Sequence, residues 1–366
     1  MIVVAKIGTS SITDSEGSIR AEAVTAFCRE VADVRAAGHS IVAVTSGAIA
    51  AGLPALGLGG DHRPRDAQTL QAVSAVGQSR LMRVYDRTFA DLGIVSGQVL
   101  LAPLDFGVRQ QYLHARGTIR RLLELGVVPV VNENDAIADD EIRFGDNDRL
   151  AALVAHLVDA DLLVILTDAP GLLTADPRLD PSASLIEEIV EIDHTLEALA
   201  GGAGTTRGSG GMVSKIAAAK IAAWSGVRAV IAGANRPGVL TAAVAGEPGV
   251  GTIVQPRERR LPARKLWIAF AIGASGTVTV DDGARTALCE GGRSLLPAGM
   301  VSVAGRFAAD DAVELAGPDG KVFAKGLVRA GSDVLRSIAG RRTADLPDGV
   351  PHEVVHRDDL VELPPG

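Results

Sequence analysis

Through residue 255 the chain alternates short, nearly unbroken apolar runs with longer stretches whose apolar positions recur every three or four residues. The first pattern predicts buried strands and the second amphipathic helices. Residues 2–7 (IVVAKI) read as a strand, and 20–37 as a helix ended by Gly38. Further strands are expected at 41–45, 94–101, 127–131, 162–166 and 229–231. Further helices are expected at 68–92, 111–125, 148–158 and 212–224. Asn235, Arg236 and Pro237 are expected to open one more helix, with proline in its first turn. Such alternation implies an α/β fold: an open, mostly parallel sheet with helices on both faces. Right-handed crossovers would then gather most loops and helix N-termini along one sheet edge.

The pattern changes near residue 256. Residues 256–265 (PRERRLPARK) are charged and proline-bearing. Beyond them strands shorten and turns crowd, at Asp282-Gly283, Glu290-Gly291-Gly292 and Pro318-Asp319-Gly320. Strands at 277–280, 301–303, 313–315 and 322–324 suggest a small β-rich barrel, with a short helix at 333–338. The tail after Gly340 alternates Pro, Asp and Arg and reads as partly loose. The expected organisation is a first domain over 1–258, a linker over 259–274, a second domain over 275–348 and a tail over 349–366.

Composition narrows the class. With 366 residues, 47% of them apolar, the chain can bury the cores of two domains. Aromatics are only 3%, so aliphatic residues and glycine carry the interior. The net charge of −8 argues against general nucleic-acid binding. Residues 275–342 hold nine Lys/Arg and eight Asp/Glu, so the second domain also lacks the basic stripe that RNA affinity needs. Cys28 and Cys289 form no framework, Met1 leads straight into an apolar strand, and no apolar run approaches about 18 residues. A cytoplasmic location without membrane contact is expected. The seven histidines show no metal-ligand spacing.

Lysine is the scarce residue. Of 36 basic residues only six are lysine, at 6, 215, 220, 265, 321 and 325. Lys6 and Lys215 stand at glycine-bearing turns, Lys6-Ile7-Gly8-Thr9-Ser10 and Gly208-Ser209-Gly210-Gly211-Met212-Val213-Ser214-Lys215. A compact ammonium beside close-approaching backbone N–H groups suits a transferring phosphoryl group, whereas Arg-rich base composition explains the same scarcity without function. Thr45-Ser46-Gly47-Ala48 offers either more donors or a simple helix cap. Asn132-Glu133-Asn134-Asp135 and Gly145-Asp146-Asn147-Asp148 follow the strand at 127–131. They fit either a solvated acidic loop or a site for a ligand with ammonium and carboxylate groups. There Asp148 could orient the lysines or help hold Mg²⁺ through water. Thr167-Asp168 at a strand end, with 171–177, fits a capped loop or a nucleotide base and ribose.

Together, several segments resemble the amino acid kinase family, in the branch that phosphorylates the side-chain carboxylate of glutamate. They are VVAKIGTS at 3–10, VTSGAIAAG at 44–52, AVGQ at 75–78, VNEND at 131–135, GDND at 145–148, LTD at 166–168, TADPR at 174–178 and GGM at 210–212. Residues 275–342, including SLLPAG at 294–299, resemble the PUA domain that bacterial members often carry.

The resemblance implies ATP-dependent formation of glutamyl 5-phosphate, the first step of proline synthesis, in a homo-oligomer. It also implies coupling to a glutamyl phosphate reductase and proline as a feedback inhibitor. Lys6, Lys215 and Asp148 are the implied catalytic residues. Ser46, Asp135, Asn147, Asn132 and Asn134 are the implied glutamate contacts. Lys6, Gly8, Thr167, Asp168, Ser209, Gly210, Gly211, Met212, Val213, Ser214 and Lys215 are the implied ATP contacts, and Mg²⁺ is expected mainly through the ATP phosphates. Leu173 departs from the pattern, standing where tyrosine is common. Ser209 and Ser214 replace threonines, and 104–111 has few of the family's charges. Two other readings stay open: a family member acting on a different carboxylate or phosphate, and an RNA-binding regulator acting through the PUA domain.

Overall fold

The computed structural model describes residues 1–14, 18–58, 63–137, 147–201, 211–258 and 260–363. Two compact units divide the chain, Met1–Arg260 and Leu261–Gly366.

The first unit holds one eight-stranded sheet. Its strands are β1 (Ile2–Ile7), β2 (Ser40–Val44), β3 (Ser96–Leu101), β4 (Val128–Glu133), β5 (Leu162–Thr167), β6 (Glu188–Ile189), β7 (Arg228–Gly233) and β8 (Thr252–Val254). Their order is β3-β4-β2-β1-β5-β7-β8-β6. Only the β7–β8 pairing is antiparallel, so the expected mostly parallel α/β sheet is present. The helices are α1 (Thr9–Ile12), α2 (Ala21–Ala36), α3 (Ala48–Gly52), α4 (Ala67–Asp91), α5 (Arg109–Glu124), α6 (Asn147–Leu157), α7 (His194–Ala200), α8 (Met212–Trp224) and α9 (Val239–Ala245).

Strand alternation sorts the side chains between the two faces. Val3, Ala5 and Ile7 of β1 join a core with Phe27 and Val31 of α2 and Leu81, Tyr85 and Phe89 of α4. Val4 and Lys6 therefore point to the opposite face, where α6 packs on β1 and α8 packs on α6. The same parity puts Ile41 and Ala43 of β2, and Val128 and Val130 of β4, on the α2/α4 side. Helix α6 is buried along nearly its whole length, in keeping with its apolar run from Leu150 to Ala155.

A close approach of α3 and α4 anchors the turn after β2. Gly47 adopts φ +101°, a left-handed conformation that glycine tolerates and that starts α3. A Cβ built on Gly77 would fall 1.7 Å from the Ala48 carbonyl oxygen, so only glycine lets α4 lie this near.

Three local expectations are corrected in this unit or its partner. Pro237 does not sit in a helix: α9 starts at Val239, after Gly238 at φ 73°. The Glu30 carboxylate accepts from the Gly238 and Leu240 N–H groups and caps that helix from α2. Asp282-Gly283 is not a turn but the start of a helix, because Asp281 accepts from Ala284 N at 2.7 Å and caps it. Within the tail after Gly340, which reads as partly loose in the sequence, Val355–Glu362 instead form the last strand of the second sheet, with Val354, Val355, Leu360 and Val361 buried.

The charged segment that starts at 256 is tied to the first unit through Arg257 and Arg260. Arg257 lies 4.6 Å over the Trp224 ring and pairs with Glu191, and Arg260 pairs with Asp159 at 2.5 Å. The second unit contains α10 (Ala263–Leu266), α11 (Asp282–Cys289) and α12 (Ser332–Ile338). Its strands are β9 (Gly276–Val280), β10 (Met300–Gly305), β11 (Ala312–Ala316), β12 (Val322–Val328) and β13 (Val355–Glu362), in the order β10-β9-β11-β12-β13. They enclose a separate core around Val278, Leu315, Phe323, Val328 and Leu335. No helix among the described residues is long and apolar enough to cross a membrane.

Candidate active site

Three elements converge at the C-terminal ends of β1 and β4. Lys6 is the penultimate residue of β1, Asp148 lies in the first turn of α6, and Lys215 lies in the first turn of α8. Lys6 Nζ is 2.5 Å from Asp148 Oδ1, and Lys215 Nζ is 3.1 Å from Asp148 Oδ2. Ser214 Oγ donates to the same Oδ2 at 2.7 Å. All three charged residues are at most 6% exposed. Burial alone would raise the Asp148 carboxyl, but the two ammonium groups and the Ser214 hydroxyl bring it down to about 2. The carboxylate is therefore ionised at neutral pH and holds both lysines in register. A Cβ on Gly8 would stand 3.3 Å from Lys6 Nζ, so glycine keeps the space beside that ammonium clear.

A second polar group lies between α4 and the end of β4. Asp135, in a short 3-10 turn, accepts from Ser74 Oγ at 2.8 Å through Oδ2. Burial pushes the Asp135 carboxyl up, and the Ser74 hydroxyl opposes that. Asn132 donates to Gln78 Oε1 at 2.7 Å and is enclosed, so its amide serves the α4–β4 interface. Asn134 is half-buried, and its backbone N–H donates to the Leu101 carbonyl. Asn147 Oδ1 accepts from the Glu133 N–H at 3.2 Å and fixes the start of α6 to the end of β4. Ser46 is buried at the turn after β2, and its neighbour Thr45 bonds Tyr85 Oη at 2.8 Å.

Thr167 is buried at the end of β5 and donates to the exposed Asp168 at 3.0 Å. From there 171–186 runs out and back, with Leu173 bridged to Leu185 and Thr174 bonded to Ser184. Gly211 and Val213 are exposed and Met212 half-buried at the start of α8. Ser209, Gly210, Gly145 and Asp146 lie outside the described residues. No group of three or more His, Cys, Asp or Glu among the described residues is arranged to hold a metal.

Ser74 lies outside every motif singled out in the sequence, and Gln78, the last residue of AVGQ, was given no role there. Their signal was available as two polar residues one turn apart on a helix face that continues with Leu81 and Tyr85.

Comparison with known proteins decides the family. The model of the "Amino acid kinase family" matches residues 1–233, and that of the PUA domain matches 276–350. This chain belongs to the amino acid kinase family. Relatives of this amino acid kinase match it from end to end. The glutamate 5-kinase of Moorella thermoacetica is 44% identical over 99% of this chain and 96% of its own. That of Herpetosiphon aurantiacus is 45% identical over 99% and 98%. That of Burkholderia multivorans is 44% identical over 98% and 97%.

Proposed function

We propose that the protein transfers the γ-phosphoryl group of ATP to the side-chain carboxylate of L-glutamate, the activity that its relatives' name describes. The observation that carries the reading is the convergence of Lys6 and Lys215 on Asp148 at the sheet edge. Glutamate carries its nucleophile ready-made, since a side-chain carboxylate with a pKa of about 4.3 is ionised at neutral pH and needs no general base. One carboxylate oxygen attacks the γ-phosphorus, the bond to the bridging oxygen of ADP breaks, and an acyl phosphate forms.

The obstacle is electrostatic, because an anion must approach a polyanion. In this reading Lys6 and Lys215 neutralise the charge on the moving phosphoryl group, while Gly8 and the N-terminal turn of α8 offer backbone donors. Asp148 orients both lysines and takes no proton. Ser46, Asn147 and Asp135 contact glutamate, Asp135 through its ammonium, with Asn132 and Asn134 behind them. Thr167, Asp168 and residues 209–215 hold the nucleotide. Mg²⁺ arrives as the counter-ion of ATP, because Asp148 is occupied by the two lysines. The acyl phosphate is a mixed anhydride, and a reductase that consumes it would complete the step toward proline.

ATP turnover against a panel of amino acids, with hydroxylamine trapping of the acyl phosphate, tests this directly. Glutamate should give the hydroxamate. Turnover with another acceptor and none with glutamate would sink the reading.

A further inference from the structure

The buried face of α4 is apolar except for Ser74, Gln78 and the hydroxyl of Tyr85, which bonds Thr45. Polar side chains are costly to bury without partners, so each needs an account. Gln78 accepts from Asn132. Ser74 reaches Asp135 and splits its carboxylate into two unlike oxygens. Oδ2 accepts the hydroxyl at 2.8 Å, whereas the buried Oδ1 accepts no hydrogen bond among the described residues. Among those residues no ion pair ends on Asp135 either, so within the described residues this buried carboxylate has one hydroxyl partner. Such a group is poised for a cation, and an ammonium could supply both the charge and the missing donor.

We propose that Ser74 is a positioning residue for amine recognition: its hydrogen bond holds Asp135 ionised and in one rotamer, so that Oδ1 takes the ammonium of the acceptor. The proposal rests on the reading of Asp135 as the ammonium partner. The surroundings favour a local effect. The Asp135 turn packs on α4, whose buried face offers Ser74, the neutral Gln78 and one titratable group, Tyr85, which is bonded to Thr45. Burial pushes the Tyr85 phenol well above its ordinary range, so it stays neutral. Glu133 precedes the turn, and strand alternation sends it to the opposite face from Asn132. The hydroxyl of Ser74 is thus the group on α4 that favours the charged form of Asp135.

The test compares wild type, Ser74→Ala, Ser74→Thr, Asp135→Asn and the exposed control Ser79→Ala in glutamate-dependent turnover between pH 5 and 9. Melting temperatures of all variants establish that they fold. Loss of one hydrogen bond to a charged group should raise the glutamate KM of Ser74→Ala about tenfold, or about 1.4 kcal/mol, with a smaller change in kcat and in the KM for ATP. The acid limb of its kcat/KM for glutamate should move to higher pH, because the ionised form has lost its donor. Ser74→Thr should restore both. A raised KM with an unmoved acid limb would mean mere packing and would overturn the proposal, as would an unchanged KM in Ser74→Ala. If Asp135→Asn is impaired while Ser74→Ala behaves as wild type, only this inference falls. If Asp135→Asn is also unimpaired, the ammonium reading falls with it.

Discussion

Lys6 Nζ and Asp148 Oδ1 lie 2.5 Å apart, although one belongs to the first strand and the other opens α6. The same carboxylate meets Lys215 at 3.1 Å. If these lysines act on charge that develops during phosphoryl transfer, removing either should harm turnover more than binding. Lys6→Ala and Lys215→Ala should each lower kcat about 10²–10³-fold, with little change in the glutamate KM. Lys220, farther along α8 and paired with Glu197 at 2.5 Å, is the control. Steady-state kinetics on the three variants checks this, and equal damage from Lys220→Ala would remove the special role of the other two.

Asp148 should leave a signature in acid stability. Its carboxyl lies at about 2 in the folded chain against an ordinary 3.8. A depressed value means that folding favours the ionised form, so the stabilisation is fully present above the ordinary value. It disappears as pH falls through about 2. The stability difference between wild type and Asp148→Asn should therefore be flat above pH ~4 and narrow below it. Urea unfolding at several pH values measures that difference, and a gap that widened on acidification would contradict the assignment.

Asp135→Asn removes a negative charge while keeping the shape. The glutamate KM should rise about tenfold or more, and the KM for ATP should stay near wild type. A defect confined to ATP would place Asp135 in the other half of the site.

Gly77→Ala tests the α3–α4 contact. The added Cβ would meet the Ala48 carbonyl oxygen at 1.7 Å, so one helix must move. Overpacking of this kind costs about 1–3 kcal/mol, and here it also displaces the turn that carries Ser46. Thermal unfolding and the glutamate KM should both worsen. A variant as stable as wild type would show that the helices can separate freely.

A chain ended after Arg260 should fold. The first unit has its own core, and its last segment is held by Arg257 on Trp224 and Arg260 on Asp159. Circular dichroism and turnover on the truncated protein provide the check. A folded but inactive product would assign part of the active site to the second unit.

The amino-acid sequence by itself determined the order of the longer elements of the first unit, because burial of a sheet on both faces imposes continuous apolar strands and the helices between them keep an apolar stripe; the short β6, α7 and β8 carry no such pattern. The strand at Ile2–Ile7 and the helix at Met212–Trp224 stand where the patterns put them. It also marked Lys6 and Lys215, through their rarity and their glycine-rich turns. What it could not determine was which partners these residues meet, since that depends on strand parity and on helices far away in the chain. Lys6 faces α6 because Val3, Ala5 and Ile7 are taken by the α2/α4 core. Asn132 faces α4 by the same alternation, so its amide goes to Gln78. The start of α9 was hidden for a related reason, because its cap is the Glu30 carboxylate of α2 and not a neighbour in sequence. Local propensity is written in neighbouring residues. A hydrogen bond between distant segments exists only once the sheet has brought them together, and there the tertiary structure alone decides.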